Sequence, residues 1–85
     1  MSTKYHNFDI NIDQPDEASV TLIEMYDPNI GYSAYDLTVA EGELSVDEDE
    51  LKTELIELVE TENGTGETTI SVDGENLHIF YELES

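Results

Sequence analysis

The stretch VDEDELKTELIELVETE, residues 46–62, carries the clearest helical repeat in this chain. Leu51, Leu55, Leu58 and Val59 form one apolar stripe of a 3.6-residue period, and Glu62 continues the spacing. Ser45 or Asp47 can cap the start, and Asp47 with Glu50 has the spacing of a capping box in an aspartate variant. Asn63 and Gly64 supply a left-handed stop. This segment decides between an all-β and an α+β fold, because the rest of the pattern is of period two.

Upstream, residues 6–12 (HNFDINI) alternate, with Phe8, Ile10 and Ile12 on one face. Residues 13–17 (DQPDE) form a turn cluster. Residues 19–26 (SVTLIEMY) are rich in β-branched side chains and read as a second strand. A short helix opened by Pro15 and the acids after it is the alternative there. Asp27, Pro28, Asn29 and Gly31 make the next break, and residues 32–40 alternate again, with Ser33, Tyr35, Leu37 and Val39 on one face.

Downstream, residues 69–72 and 75–83 flank Asp73 and Gly74, the preferred pair for a two-residue type I′ hairpin turn. Leu77, Ile79, Tyr81 and Leu83 share a face of the last strand. The order β-β-β-α-β-β predicts a single α+β domain over residues 1–85. Its economical form is a small, mostly antiparallel sheet with one acidic amphipathic helix on one face.

Composition bounds the function. Eighty-five residues allow one modest core, and the hydrophobic share of 38% is low for a globular domain. No apolar run is long enough to span a bilayer. The chain starts without a basic segment followed by an apolar one, so a cytoplasmic location is the expectation. The absence of cysteine excludes disulfides, thiolate chemistry and any cysteine-based zinc site.

Charge is the outstanding feature: 22 Asp and Glu against two lysines, Lys4 and Lys52, with no arginine. Such a balance can mark disorder, but the apolar periodicity argues for a folded domain. Size scaling gives a folded surface of roughly 5,100 Å², or about 250 Å² per net charge. Duplex DNA, as a cylinder of about 10 Å radius with a charge every ~1.7 Å, offers about 110 Å². The acids are uneven along the chain. Residues 1–40 hold seven, residues 41–62 hold ten and the last 23 hold five.

Helix stability accounts for part of this. Asp47, Glu48, Asp49 and Glu50 fall in the first turn, where each carboxylate gains about 0.3–1 kcal/mol from the helix dipole. Glu48 precedes Lys52 by four residues, the better orientation for an ion pair. The remainder runs against stability. Glu50, Glu54, Glu57 and Glu60 recur at spacings of four, three and three, and each like-charge pair costs about 0.2–0.5 kcal/mol. Glu60 and Glu62 also sit at the negative end of the dipole. Stability alone would place lysines there.

Three readings compete. The ridge imitates a phosphate backbone and fills a groove lined by Lys and Arg, so that the protein blocks nucleic-acid binding by an enzyme. Alternatively, the chain is a small acidic adaptor or immunity-type protein that docks on a basic partner unrelated to nucleic acid. In the third, the acids are a salt adaptation with no partner. Clustering of the acids weighs against the third. The partner-binding candidates are Asp47, Asp49, Glu50, Glu54, Glu57 and Glu60. Tyr32 joins them as a tyrosine beside a turn, since tyrosine is favoured at interface hot spots. Tyr5 is also expected to be exposed, and Tyr35 and Tyr81 to lie in the core.

A small, cysteine-free, strongly acidic domain with an acidic helix beside a small sheet resembles the phage-encoded DNA-mimic inhibitors, among them anti-CRISPR, anti-restriction and uracil-glycosylase inhibitor proteins. The likeness covers size and composition across the whole chain and has no specific motif. It implies inhibition of a nucleic-acid-processing enzyme, such as a CRISPR or restriction effector in the host cytoplasm, with Glu50, Glu54, Glu57 and Glu60 standing in for phosphates.

Other constellations fall short of chemistry. Asp9, Asn11 and Asp13 begin like a calcium loop, but Gln14 replaces its glycine and Val20 its bidentate Glu. His6 and His78 are read as facing away from the apolar alternation of their strands, and a joint metal site would require the first and last strands to pair. Gly64 and Gly66 flank Thr65 in a loop without lysine, unlike a phosphate cradle. No catalytic, cofactor or metal site is expected, and the chain does not read as an enzyme. The near absence of cations argues against direct nucleic-acid binding. The expected partner is a basic, nucleic-acid-binding protein, with this chain a monomer or weak dimer and no membrane involved.

Overall fold

Alternation and the one helical repeat build five strands and a helix in the computed structural model, which describes residues 2–12 and 17–84. Strand β1 spans Ser2–Ile12, β2 Glu17–Asp27 and β3 Tyr32–Gly42; helix α1 spans Glu48–Thr61; β4 spans Thr65–Val72 and β5 Glu75–Glu82. Of the turn cluster read at 13–17, only Glu17, the first residue of β2, lies within the described residues.

The segment with two readings is a strand. β2 pairs on both sides, with β1 and with β3. Its alternation is blurred because both faces carry apolar residues. Ala18, Val20 and Leu22 are buried on one face, while Ile23 and Met25 are half-buried on the other.

The four pairings among the described residues are antiparallel, and the spatial order is β3-β2-β1-β5-β4. It departs from the chain order. β1 is central, and the C-terminal hairpin adds to its free edge, so the first and last strands pair. The Asp73–Gly74 turn has φ of +53° and +78°, which a type I′ turn requires at both central positions.

The helix therefore links the two edge strands. Fourteen residues make about 21 Å of helix, and five strands at about 4.8 Å span about 19 Å between edges. One helix can thus cross the whole sheet. Near its start, the Glu50 carboxylate accepts the Asp73 backbone N–H of the β4–β5 turn. Near its end, Glu60 lies close enough to Tyr35 of β3 to act on its phenol. The helix runs diagonally from one edge to the other.

Leu51 and Leu55 are fully buried against Phe8, Ile10, Leu22, Leu77 and Ile79. Asp47 caps the helix, its Oδ1 accepting the Asp49 N–H at 2.9 Å. The reciprocal half of the expected capping box is replaced, since Glu50 turns to Asp73 instead. At the far end the Glu62 N–H bonds the Leu58 carbonyl at 2.8 Å, and Gly64 (φ +66°) turns the chain into β4.

Among the described residues only one face of the sheet is covered. The other displays Tyr5, Asn7, Asp9, Thr21, Asp36, Thr38, Glu67, Phe80 and Glu82, which register places opposite the helix side.

Candidate functional site

Helix periodicity sets where the candidate carboxylates stand. Leu51 and Leu55 turn inward, so Asp49, Glu50, Glu57 and Glu60 are exposed, while Glu54 on the flank is half-buried. Asp47 is exposed with one carboxylate oxygen committed to its cap. Tyr32, at the start of β3, is 65% exposed, and it lies on the uncovered face rather than beside the helix. The structure thus brings the six acids together on one element and leaves Tyr32 apart from them.

Among the described residues none of these acids makes an ion pair within 4 Å. No Lys there lies within 4 Å of a carboxylate oxygen, and the basic side chains that do are histidines, His6 beside Glu24 and His78 beside Glu67. The expected Glu48–Lys52 pair does not form; Lys52 is half-buried on the helix flank while Glu48 is exposed at its first position. Eight carboxylates over residues 47–62 occupy about 24 Å of axis, one every ~3 Å. One strand of duplex DNA carries a charge every ~3.4 Å.

The concentration in sequence is not a confinement in space. Asp9, Asp36, Glu67 and Glu82 stand exposed on the uncovered sheet face. A surface of 5351 Å² shared among 20 net charges gives about 270 Å² each.

His6 corrects the sequence reading. Read as facing away from the apolar alternation, it shares the face of Phe8 and Ile10 and is 1% exposed. Two residues separate His6 from Phe8, and a strand returns to the same face at that interval. Burial is tolerated because both ring nitrogens are used. Nδ1 accepts the Glu84 backbone N–H at 3.1 Å, which leaves the ring proton on Nε2, where it is donated to Glu24 Oε1 at 2.9 Å. Glu24 Oε2 accepts from Ser33 Oγ, and Glu84 Oε1 accepts the Tyr5 N–H. The network ties β1, β2 and β3 to the C-terminal segment beyond β5. His78, by contrast, is exposed on the opposite face, so the two histidines do not meet even though β1 and β5 pair.

Between His6 and the helix end lies a half-open cavity of about 360 Å³, bordered by Lys4, Glu24, Tyr35, Glu60, Glu62 and Glu84. Its polar, carboxylate-rich border differs from the mostly apolar walls of small-molecule sites. Burial, with Glu24 and Glu60 nearby, holds the Tyr35 phenol above its ordinary pKa. Tyr81 is raised as well, first by the hydrogen bond it donates to Glu62 at 3.0 Å and then by burial.

Asp9, read as the start of a calcium loop, lies in β1 and accepts from Ser19 Oγ at 2.8 Å; Asp13 lies outside the described residues. Among the described residues no helix is long and apolar enough to cross a membrane. Sequence reasoning did not single out Phe80, which is 42% exposed. The alternation of Leu77, Ile79 and Tyr81 assigns it to the outer face, where it is the only large apolar residue of β5. Comparison of the chain with protein-family models, with curated proteins and with solved structures finds no match.

Proposed function

We propose that the protein is an acidic decoy that occupies the nucleic-acid groove of a DNA- or RNA-binding enzyme and inhibits it. A CRISPR or restriction effector is the kind of target meant. The observation that carries this reading is the run of eight carboxylates over residues 47–62, which makes no ion pair among the described residues. It averages one charge per about 3 Å of axis, near the mean density along one DNA strand. Stability does not account for Glu54, Glu57 and Glu60, and a complementary basic groove does. The molecule's extents of 43 × 23 × 21 Å support the reading, because its cross-section is that of a duplex of about 20 Å diameter.

The helix would enter the groove with Asp47, Asp49, Glu50, Glu54, Glu57 and Glu60 facing Lys and Arg side chains. Association is then fast and falls steeply with salt. The test is capture of partners from host lysate at low salt, with and without excess duplex or RNA. Release of a nucleic-acid enzyme by competitor supports mimicry, and retention of the partner in its presence overturns it. Retention would favour the second reading, an adaptor or immunity-type protein on a basic partner. The acids and aromatic residues of the uncovered sheet face favour that alternative.

A further inference from the structure

Phe80 stands on the uncovered sheet face with a carboxylate on either side. Asp9 of β1 is its register partner on one side, and Glu67 of β4 on the other. Directly opposed residues hold their Cβ atoms about 4.5–5.5 Å apart, so both acids border the ring. His78 packs edge-on against it, with centroids 4.8 Å apart and Nε2 3.4 Å from Glu67 Oε2.

The contacts that tie this row into the fold are exposed ones, Ser19 Oγ donating to Asp9 at 2.8 Å and His78 touching Phe80 and Glu67, and they leave carboxylate oxygens open on both sides of the ring. Sheet aromatics gain most from facing other rings or β-branched side chains, and carboxylates gain nothing from an apolar neighbour that displaces their water. The row does match what recognises a guanidinium: a ring face for the planar cation and carboxylate oxygens for its N–H fork. We infer that the uncovered sheet face docks a basic protein and receives an arginine of that partner on Phe80, between Asp9 and Glu67.

Charge selects this occupant over others. A second copy would bring Asp9, Asp36, Glu67 and Glu82 against their own kind in a two-fold contact, and nucleic acid would meet 20 net negative charges. The size also fits. Five strands of 8 to 11 residues make a face of roughly 24 by 30 Å, or ~700 Å², close to one partner's ~800 Å² share of a standard interface. Tyr5, Ile23 and Met25, further along the same face, add apolar contact. The inference is independent of the decoy reading, because the row lies on the side of the sheet away from the helix and requires only a cationic partner.

The probe is a short capped peptide, Arg-Thr-Arg-Thr-Arg, compared with its lysine counterpart by NMR titration of the isotope-labelled protein at physiological salt. Arginine-peptide shifts should centre on Asp9, Glu67, His78 and Phe80, with affinity about two- to fivefold above the lysine peptide, the size of an exposed cation–π contact. Phe80→Thr, which keeps a strand-favouring residue on the outer face, should erase that preference. Asp9→Asn with Glu67→Gln should weaken both peptides at this row. Equal affinity for the two peptides, shifts centred on residues 47–62, or an unchanged preference in Phe80→Thr would each overturn the inference. Shifts on the helix would do so while leaving the decoy reading standing.

Discussion

Tyr81 lies directly across the ladder from Gly66, and its ring fills the space a side chain at 66 would take: a Cβ there would stand 2.6 Å from Tyr81 Cζ. The glycine of an edge strand is thereby covered by an aromatic neighbour, whose hydroxyl reaches on to Glu62 at the helix end. Gly66→Ala should destabilise the fold by about 1–3 kcal/mol, the range for overpacking. Urea denaturation measures this, and in a Tyr81→Val background the same alanine should be nearly neutral. An equal loss in both backgrounds would show that the ring is not what excludes the side chain.

Tyr35 and Tyr81 predict an alkaline limb of stability. Both phenols are raised, Tyr35 chiefly by burial and Tyr81 chiefly by its hydrogen bond to Glu62. An unfolded tyrosine ionises near pH 10, about where the folded chain still holds its proton. The contribution is thus complete below about pH 10 and is lost as pH rises through the elevated folded values. Urea midpoints should fall in that range. Replacing both residues with Phe should flatten the limb, and an unchanged slope in that variant would rule these two groups out as its source.

The fold was legible where local period decides it. Phe8 and Ile10, Leu37 and Val39, and Leu77 and Ile79 mark strand faces, while Leu51 and Leu55 mark the helix. Strand order was not legible, because the pairing of β1 with β5 joins residues some 70 apart and no local residue encodes it. His6 shares the parity of Phe8 and Ile10, so strand position and not its polar type decides its burial, and two hydrogen-bond partners from distant segments make that burial possible. The helix acids were visible by spacing on one element. The row of Asp9, Phe80 and Glu67 comes from three strands, and only their register assembles it. The spacing of Asp47 and Glu50 predicts a capping box, but a turn brought in from a distant part of the chain takes the Glu50 carboxylate.

The His6 network predicts a local weakness on mutation. His6→Leu keeps a side chain of similar bulk but removes the acceptor for the Glu84 N–H and the donor to Glu24. Groups left unpaired in a part-buried setting cost about 1–3 kcal/mol. The backbone amides of Glu84 and Tyr5 should also exchange with solvent faster than those of β2, because the C-terminal segment loses its tie to β1. Unchanged exchange at these two amides would show that the segment is held by Leu83 and its bond to Gly64 alone.

The helix ridge predicts opposite effects on stability and on function. Glu57 and Glu60 stand exposed and make no ion pair among the described residues, and Glu60 lies near the negative end of the helix dipole. Changing Glu54, Glu57 and Glu60 to Lys sets a cation four residues after Glu50 and supplies the cations that the last turn of the helix lacks. It also lowers the repulsion within a chain of 20 net negative charges, which outweighs the like-charge spacing among the three new cations. Each exposed site should gain about 0.3–1 kcal/mol at low ionic strength, so the triple variant should unfold at higher urea than the parent, with the gain shrinking as salt is added. Under the decoy reading the same variant should lose its enzyme partner outright, because three charges meant for a basic groove now oppose it. A residue kept for folding would lose stability on replacement; one kept for a partner gains stability and loses binding. A triple variant that is both more stable and fully inhibitory would move the functional surface off the helix, to the uncovered face of the sheet.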